Sequence, residues 1–162
     1  VEGLEGAGKL WVRGPNIMKV YITSTNPGIV KPLVDGWYDT GDIVSINEDG
    51  HYVIRGRLKR FAKIGGEMVS LTVVENCASA VWPEFMHAAA ILPDLRKGEQ
   101  IVLVTDNPKA KRSELLRWAQ AHGVPELSVP KKIISAQSIP ILGTGKLDYK
   151  AITQLAQDSV IS

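Results

Sequence analysis

Gly56-Arg57-Leu58-Lys59-Arg60-Phe61-Ala62-Lys63-Ile64 is the stretch at which the chain changes its pattern, and the fold can be read outward from it in both directions. Upstream, Lys9-Leu10-Trp11-Val12-Arg13 alternates apolar and polar residues as a half-buried strand does, and Val20-Tyr21-Ile22 has the same character. Gly14-Pro15-Asn16 breaks the chain between them. Residues 24 to 36 read as a loop, and Tyr38-Asp39-Thr40-Gly41-Asp42 as a turn. Ile43-Val44-Ser45-Ile46 and His51-Tyr52-Val53-Ile54 flank Asn47-Glu48-Asp49-Gly50, whose turn-forming residues predict a β-hairpin. The first third is therefore expected to be β-rich.

Downstream, Phe61-Ala62-Lys63-Ile64 is strand-like, and residues 70 to 82 carry Val74, Cys77, Ala78 and Val81 at helical spacing. That helix starts either on a Thr72/Glu75 capping box or with Ser70 as its cap. Residues 86 to 92 and 100 to 105 read as buried strands. Residues 111 to 122 read as an amphipathic helix with Leu115, Leu116 and Trp118 among its apolar positions, ended by Gly123 and Pro125. Residues 131 to 135 form a further strand candidate, and residues 149 to 156 a last helix capped by Asp148. Alternating strands and helices over residues 61 to 157 predict a compact α/β lobe.

Composition bounds the function classes. With 162 residues, 44% of them hydrophobic, the chain has material for one core or two small ones. Nineteen basic against 17 acidic residues leave a net charge of +2, which gives no electrostatic case for nucleic acid as the partner. The cluster Arg55, Arg57, Lys59, Arg60 and Lys63 alternates with apolar residues and reads as folded segment, not as a basic tail. A single cysteine, Cys77, excludes an internal disulfide and a zinc cluster and fits a reducing compartment; on an apolar helix face it reads as a small buried hydrophobe. No window approaches the ~18 apolar residues that span a bilayer, and no signal peptide opens the chain, so it is expected to be soluble. It opens inside a motif without an initiator methionine, which predicts a piece of something longer.

Two motifs carry chemistry. Gly143-Thr144-Gly145-Lys146 puts one ammonium in a glycine-flanked loop after Pro140, where backbone can approach a ligand and the charge can reach a developing anion. It is not a P-loop, because the glycine spacing is absent and Leu147 follows the lysine. Asp42, after Thr40-Gly41, offers an acceptor-only carboxylate. Taken singly, Asp42 is more simply a turn residue, Lys146 a solvated lysine, Arg57 and Lys59 surface charges, and Gly65-Gly66 a tight turn. His51, His87 and His122 have no acid or metal partner in sequence. Trp11, Trp37, Trp82 and Trp118 read as core or inter-lobe packing.

Read in order, three stretches resemble the AMP-forming acyl- and amino-acid-activating enzymes. They are Gly36-Trp37-Tyr38-Asp39-Thr40-Gly41-Asp42, then Gly56-Arg57-Leu58-Lys59-Arg60 through Gly65-Gly66-Glu67-Met68-Val69-Ser70 to Val74-Glu75, then Pro140-Ile141-Leu142-Gly143-Thr144-Gly145-Lys146. Gly8-Lys9-Leu10-Trp11-Val12-Arg13-Gly14-Pro15 resembles the strand that precedes the Thr-Gly-Asp motif. Within that superfamily the wording of residues 60 to 70, with Gly123-Val124-Pro125-Glu126-Leu127 and Val129-Pro130, is most similar to the bacterial bifunctional 2-acylglycerophosphoethanolamine acyltransferase/acyl-[acyl-carrier-protein] synthetases.

The resemblance implies an α+β fold: the β-rich end of a large N-terminal lobe over residues 1–57, a hinge at 58–60, and a small, mobile, mixed α/β C-terminal lobe over 61–162. It implies two half-reactions, in which ATP and a fatty acid give acyl-adenylate and pyrophosphate, and a phosphopantetheine thiol then takes the acyl group. Asp42 would accept from both ribose hydroxyls, Arg57 would assist at ribose or phosphate, and Lys146 would bridge the α-phosphate and the acyl carboxylate. Lys59 would be the hinge, where many relatives carry aspartate. Gly65 and Gly66 would lie beside the pantetheine arm. Magnesium enters only with ATP, and no protein metal ligand is assigned. The implied partners are acyl carrier protein, fatty acid and, for an acyltransferase half preceding this one, lysophospholipid at the cytoplasmic face of the bacterial inner membrane. The phosphate-binding Ser/Thr/Gly-rich loop is not in these residues, so the chain by itself is expected to lack a complete site. Two alternatives stay open: a fatty acyl-CoA synthetase, and a non-catalytic docking module that meets a carrier protein's acidic helix with Lys131 and Lys132.

Overall fold

The computed structural model describes residues 1–23 and 26–161. The chain is mixed α/β and rich in strand, and it divides into two compact units, Val1–Lys59 and Arg60–Ser162.

The first unit holds five strands. β1 (Ala7–Val12), β4 (Tyr38–Ile46) and β5 (Tyr52–Arg57) form an antiparallel sheet in the order β1-β4-β5. The β4–β5 hairpin closes over Asn47-Glu48-Asp49-Gly50 with Ile46 opposite Tyr52, as the turn residues predict; the Asn47 carboxamide accepts from the His51 amide and Gly50 has φ 81°. β2 (Val20–Thr23) and β3 (Asn26–Pro32) form a separate two-stranded ribbon. The loop expected over residues 24 to 36 is thus corrected. Residues 26 to 32 are strand, Val34 and Trp37 bridge, and residues 24 and 25 lie outside the described residues. A proline at each end of this segment is tolerated because β3 has one strand partner, β2, so an unpaired edge needs no amide.

The second unit is a twisted five-stranded sheet covered on both faces. β9 (Gly98–Thr105) is its centre, antiparallel to β8 (His87–Asp94) and parallel to β10 (Lys132–Ser135). The hairpin of β6 (Phe61–Ile64) and β7 (Glu67–Ser70) joins the start of β9 through Ile64 and Gly98. Alternate residues of β8 and β9 enter two cores. Ala89, Ile101 and Leu103 pack with Leu71, Val74 and Ala78 of α1 (Leu71–Val81) and Leu115 and Ala119 of α2 (Arg112–Ala121). Ala88, Ala90, Val102 and Val104 pack on the other face with Ile152 and Ala156 of α3 (Tyr149–Ile161). Burial on both faces is why these strands read as continuous apolar runs. The consecutive alanines 88 to 90 leave room for a helix on each side.

Helix ends follow local chemistry in part. Asp148 caps α3, its Oδ1 accepting from the amides of Lys150 and Ala151, and α3 runs on to Ile161, past the expected end at residue 156. Gly123 follows α2 with φ 69°. The capping box does not form: Thr72 lies inside α1, and the Glu75 carboxylate is committed to Arg60 and the Ala89 amide. Ser70 occupies the cap position but its hydroxyl makes no capping bond. Cys77 is buried, and burial raises its thiol pKa. Trp82 is core, its indole N–H donating to Glu114, whereas Trp11 and Trp37 are 43% and 41% exposed and lie under Lys9 and Arg13.

Candidate functional site

Asp42 belongs to a strand and not to a free turn. Opposite β1, Lys9 pairs with Ile43 and Trp11 with Asp39, so Thr40, Gly41 and Asp42 together face the single residue Leu10. The motif is a bulge inside β4, and the turn expectation is corrected accordingly. Gly41 supplies the positive φ, 72°, that the bulge needs. Side chains fasten it: the Thr40 hydroxyl donates to the Leu10 carbonyl (2.9 Å), the Asp42 amide donates to Thr40 Oγ1 (3.1 Å), and the Gly41 amide donates to Asp39 Oδ1 (2.9 Å). Lys9 Nζ lies 2.8 Å from Asp39; that hydrogen bond and the Gly41 amide hold the Asp39 carboxyl below the usual carboxylate range.

Arg57 stands directly across from Asp42 on β5. Its Nε is 2.9 Å from Asp42 Oδ1, and its Nη1 donates to the Thr40 carbonyl at 2.6 Å. The Asp42 side chain is 20% exposed and the Arg57 side chain 64%. A carboxylate fixed from behind by a guanidinium, with its other oxygen available, can accept from hydroxyls of a ligand. Lys59 is exposed in the 3₁₀ turn Leu58–Arg60, at the boundary between the two units.

In the second unit Lys146 follows a tight turn. The Gly145 amide donates to the Leu142 carbonyl (2.8 Å), the Leu142 amide to the Lys146 carbonyl (2.7 Å), and the Asp148 amide to the Pro140 carbonyl (3.0 Å); Ile141 and Leu147 bridge. Lys146 is exposed, and among the described residues its ammonium has no acid or acceptor. Gly65 and Gly66 form the two-residue β6–β7 turn with φ 60° and 96°, the pattern a type I′ hairpin requires. A Cβ at either would meet nothing within 4 Å, so torsion and not crowding accounts for the glycines in this fold. Asp42, Arg57 and Lys59 thus belong to one unit, and Gly65, Gly66 and Lys146 to the other.

Sequence reading did not find the partners of Arg60. Its Nη2 is 2.5 Å from Glu75 Oε1, its Nη1 donates to the Ala89 carbonyl at 3.1 Å, and its guanidinium carbon lies 3.8 Å from the Tyr149 ring centroid. The residues are scattered along the chain, and no local spacing signals their contact. A cleft of about 360 Å³ also opens in this unit beside β9, with Lys97, Arg112, Lys131, Glu99 and Glu126 in its walls; Lys146 does not line it. His87 is buried between Thr105 and the Trp82 carbonyl as a satisfied core residue. Among the described residues no group of His, Cys, Asp or Glu is placed to hold a metal, and no helix is long and apolar enough to cross a membrane.

No protein-family model matches the chain. It is similar to 2-hydroxy-7-methoxy-5-methyl-1-naphthoate–CoA ligase of Streptomyces carzinostaticus, 31% identical over 95% of this chain and 28% of the relative. It is likewise similar to 2,3-dihydroxybenzoate-AMP ligase of Bacillus subtilis, 30% identical over 96% of this chain and 29% of that protein. Among solved structures it resembles the amide bond synthetase McbA of Marinactinospora thermotolerans (TM-score 0.70, 25% identity, 94% of this chain and 31% of McbA). It also shares its fold with ATP-bound MatB of Rhodopseudomonas palustris (TM-score 0.72, 24% identity, 95% of this chain and 31% of MatB). The chain spans about three tenths of the length of the curated relatives it matches. These similarities support the superfamily of AMP-forming acyl-CoA and aryl-CoA ligases, and the fold of the second unit matches the small C-terminal domain of adenylate-forming enzymes.

Proposed function

We propose that the chain supplies the ribose-binding acid, the pivot and the catalytic lysine of an ATP-dependent, AMP-forming acid–thiol ligase. The observation that carries the reading is that one compact unit holds a carboxylate fixed on a β-bulge and the other a lysine, without an acidic partner among the described residues, on a hydrogen-bonded hairpin. Asp42 accepts from the ribose hydroxyls while Arg57 neutralises it from behind and reaches ribose or phosphate. In the first half-reaction a carboxylate oxygen of the fatty acid attacks the α-phosphorus, the new P–O bond forms, and pyrophosphate leaves. Lys146 offsets the charge shared by α-phosphate and carboxylate, an electrostatic role for which a compact ammonium is suited. In the second, a phosphopantetheine thiolate attacks the acyl carbon and AMP leaves. Turning about Lys59 exchanges Lys146 for the Gly65-Gly66 hairpin, which accompanies the pantetheine arm. Magnesium arrives with ATP.

For the acceptor, the wording of residues 60 to 70 favours acyl carrier protein and a bifunctional 2-acylglycerophosphoethanolamine acyltransferase/acyl-[acyl-carrier-protein] synthetase at the bacterial inner membrane, with lysophospholipid as the final acyl acceptor. The similarity to a naphthoate–CoA ligase favours coenzyme A at least as well. Assaying the whole enzyme with each thiol separates the two. The ligase reading itself is tested by Lys146→Ala: pyrophosphate–ATP exchange should fall by roughly 10²-fold or more, while transfer from supplied acyl-adenylate is spared. Equal loss in both steps would refute it.

A further inference from the structure

We propose that Arg60, Glu75 and Tyr149 form a clamp that fixes the Lys146 hairpin to the residue beside the pivot, making them positioning residues for adenylation; this rests on the ligase reading above. Arg60 follows Lys59 and opens the second unit. Its side chain and that of Glu75 are only 16% and 15% exposed, so the ion pair is largely shielded from water. Glu75 Oε1 also accepts from the Ala89 amide at 2.9 Å while Arg60 donates to the Ala89 carbonyl. The two side chains therefore complete both main-chain groups of Ala89 on the free edge of β8, which has β9 as its strand partner. That anchors Arg60 to the sheet and to α1 at once.

Tyr149 ties this anchor to the hairpin. The Tyr149 ring lies under the Arg60 guanidinium at 3.8 Å, and Tyr149 is the first residue of α3, three positions after Lys146. Between ring and lysine the backbone is held by the Asp148–Pro140 bond, the Ile141–Leu147 bridge and the Leu142–Lys146 bond. Burial and the neighbouring Glu75 charge both raise the Tyr149 phenol pKa, in keeping with a ring set against the ion pair. No flexible segment therefore separates the residue after the pivot from the lysine that must meet the α-phosphate. Rotation at Lys59 carries Lys146 as part of one body, and small errors of placement are costly for a transition-state charge partner.

Tyr149→Leu removes the stacked ring and leaves the buried ion pair intact, while Tyr149→Phe keeps the ring. In the whole enzyme, the leucine variant should lower kcat for acyl-adenylate formation about tenfold at unchanged KM for ATP and spare transfer from supplied acyl-adenylate; the phenylalanine variant should restore the rate. Independently of activity, hydrogen exchange at the Leu142, Gly145 and Asp148 amides should speed up in the leucine variant and not in the phenylalanine variant. Leucine and phenylalanine variants of equal rate, or both half-reactions falling together, or unchanged exchange, would overturn the clamp. A silent Tyr149→Leu beside a Lys146→Ala that still splits the half-reactions sinks the clamp alone; a Lys146→Ala without that split sinks the ligase reading and the clamp with it.

Discussion

A carboxylate that is to grip two hydroxyls must itself be held, and Asp42 is held by Arg57 Nε at 2.9 Å while remaining 20% exposed. On the ribose reading, Asp42→Asn keeps the shape and loses the charge that makes those hydrogen bonds strong. Charge-assisted bonds contribute about 1.5–3 kcal/mol, so KM for ATP should rise on the order of tenfold to a hundredfold with kcat for adenylation little changed. Steady-state kinetics of pyrophosphate exchange measure this, and an unmoved KM would remove Asp42 from the ribose. The Asp148 cap was legible in sequence, because a cap needs only its own neighbours. Asp42 and Lys146 are singled out there only by the order of the motifs that contain them. The Asp42–Arg57 ion pair was not legible, since strand register across a hairpin brings it about. Neither was the role of Glu75, whose spacing from Thr72 suits a capping box as well as it suits the ion pair it makes.

Elements were read well where one periodicity dominated. The β4–β5 hairpin, β6, β9, α1 and α2 lie within a few residues of expectation because their apolar faces repeat without competition. Besides β4, which begins at Tyr38 where a turn is expected, and α3, which runs past residue 156, two elements departed from it. β3 contains Asn26, Pro27, Gly28 and Pro32, residues depleted in strands, and is strand only because β2 pairs with it. β7 is four residues long and exists because the Gly65-Gly66 turn folds it back onto β6. The 3₁₀ turn Leu58–Arg60 is the element on which the proposed alternation depends. Proline at position 59 would fix φ there near −65° and restrict Leu58 as well, so the junction could not pass freely between two arrangements. Lys59→Pro should therefore slow thioester formation more than adenylation. Single-turnover measurement of each half-reaction tests it, and unaltered rates would remove Lys59 as the pivot.

At the scale of the molecule, the two units differ in what they bury. Residues 60–162 contain both apolar clusters, one on each face of the sheet, whereas Ile43 and Val44 are the buried apolar residues among the described part of the first unit. The second unit, produced alone, should unfold in one cooperative thermal transition, and residues 1–59 alone should show none; calorimetry and amide-proton dispersion check both. A broad, non-cooperative melt of residues 60–162 would contradict the two-sided core. Legible along the chain were the alternation of strands and helices, the Asp148 cap of α3 and the Gly123 stop of α2, because periodicity, capping and glycine torsion act over a few neighbouring positions. Folding in three dimensions was needed to make Thr40-Gly41-Asp42 a bulge, to set Arg57 against Asp42, and to bring Arg60 to Glu75, Ala89 and Tyr149. Those contacts join residues distant along the chain, and their partners are selected by strand register and by which faces the core leaves open.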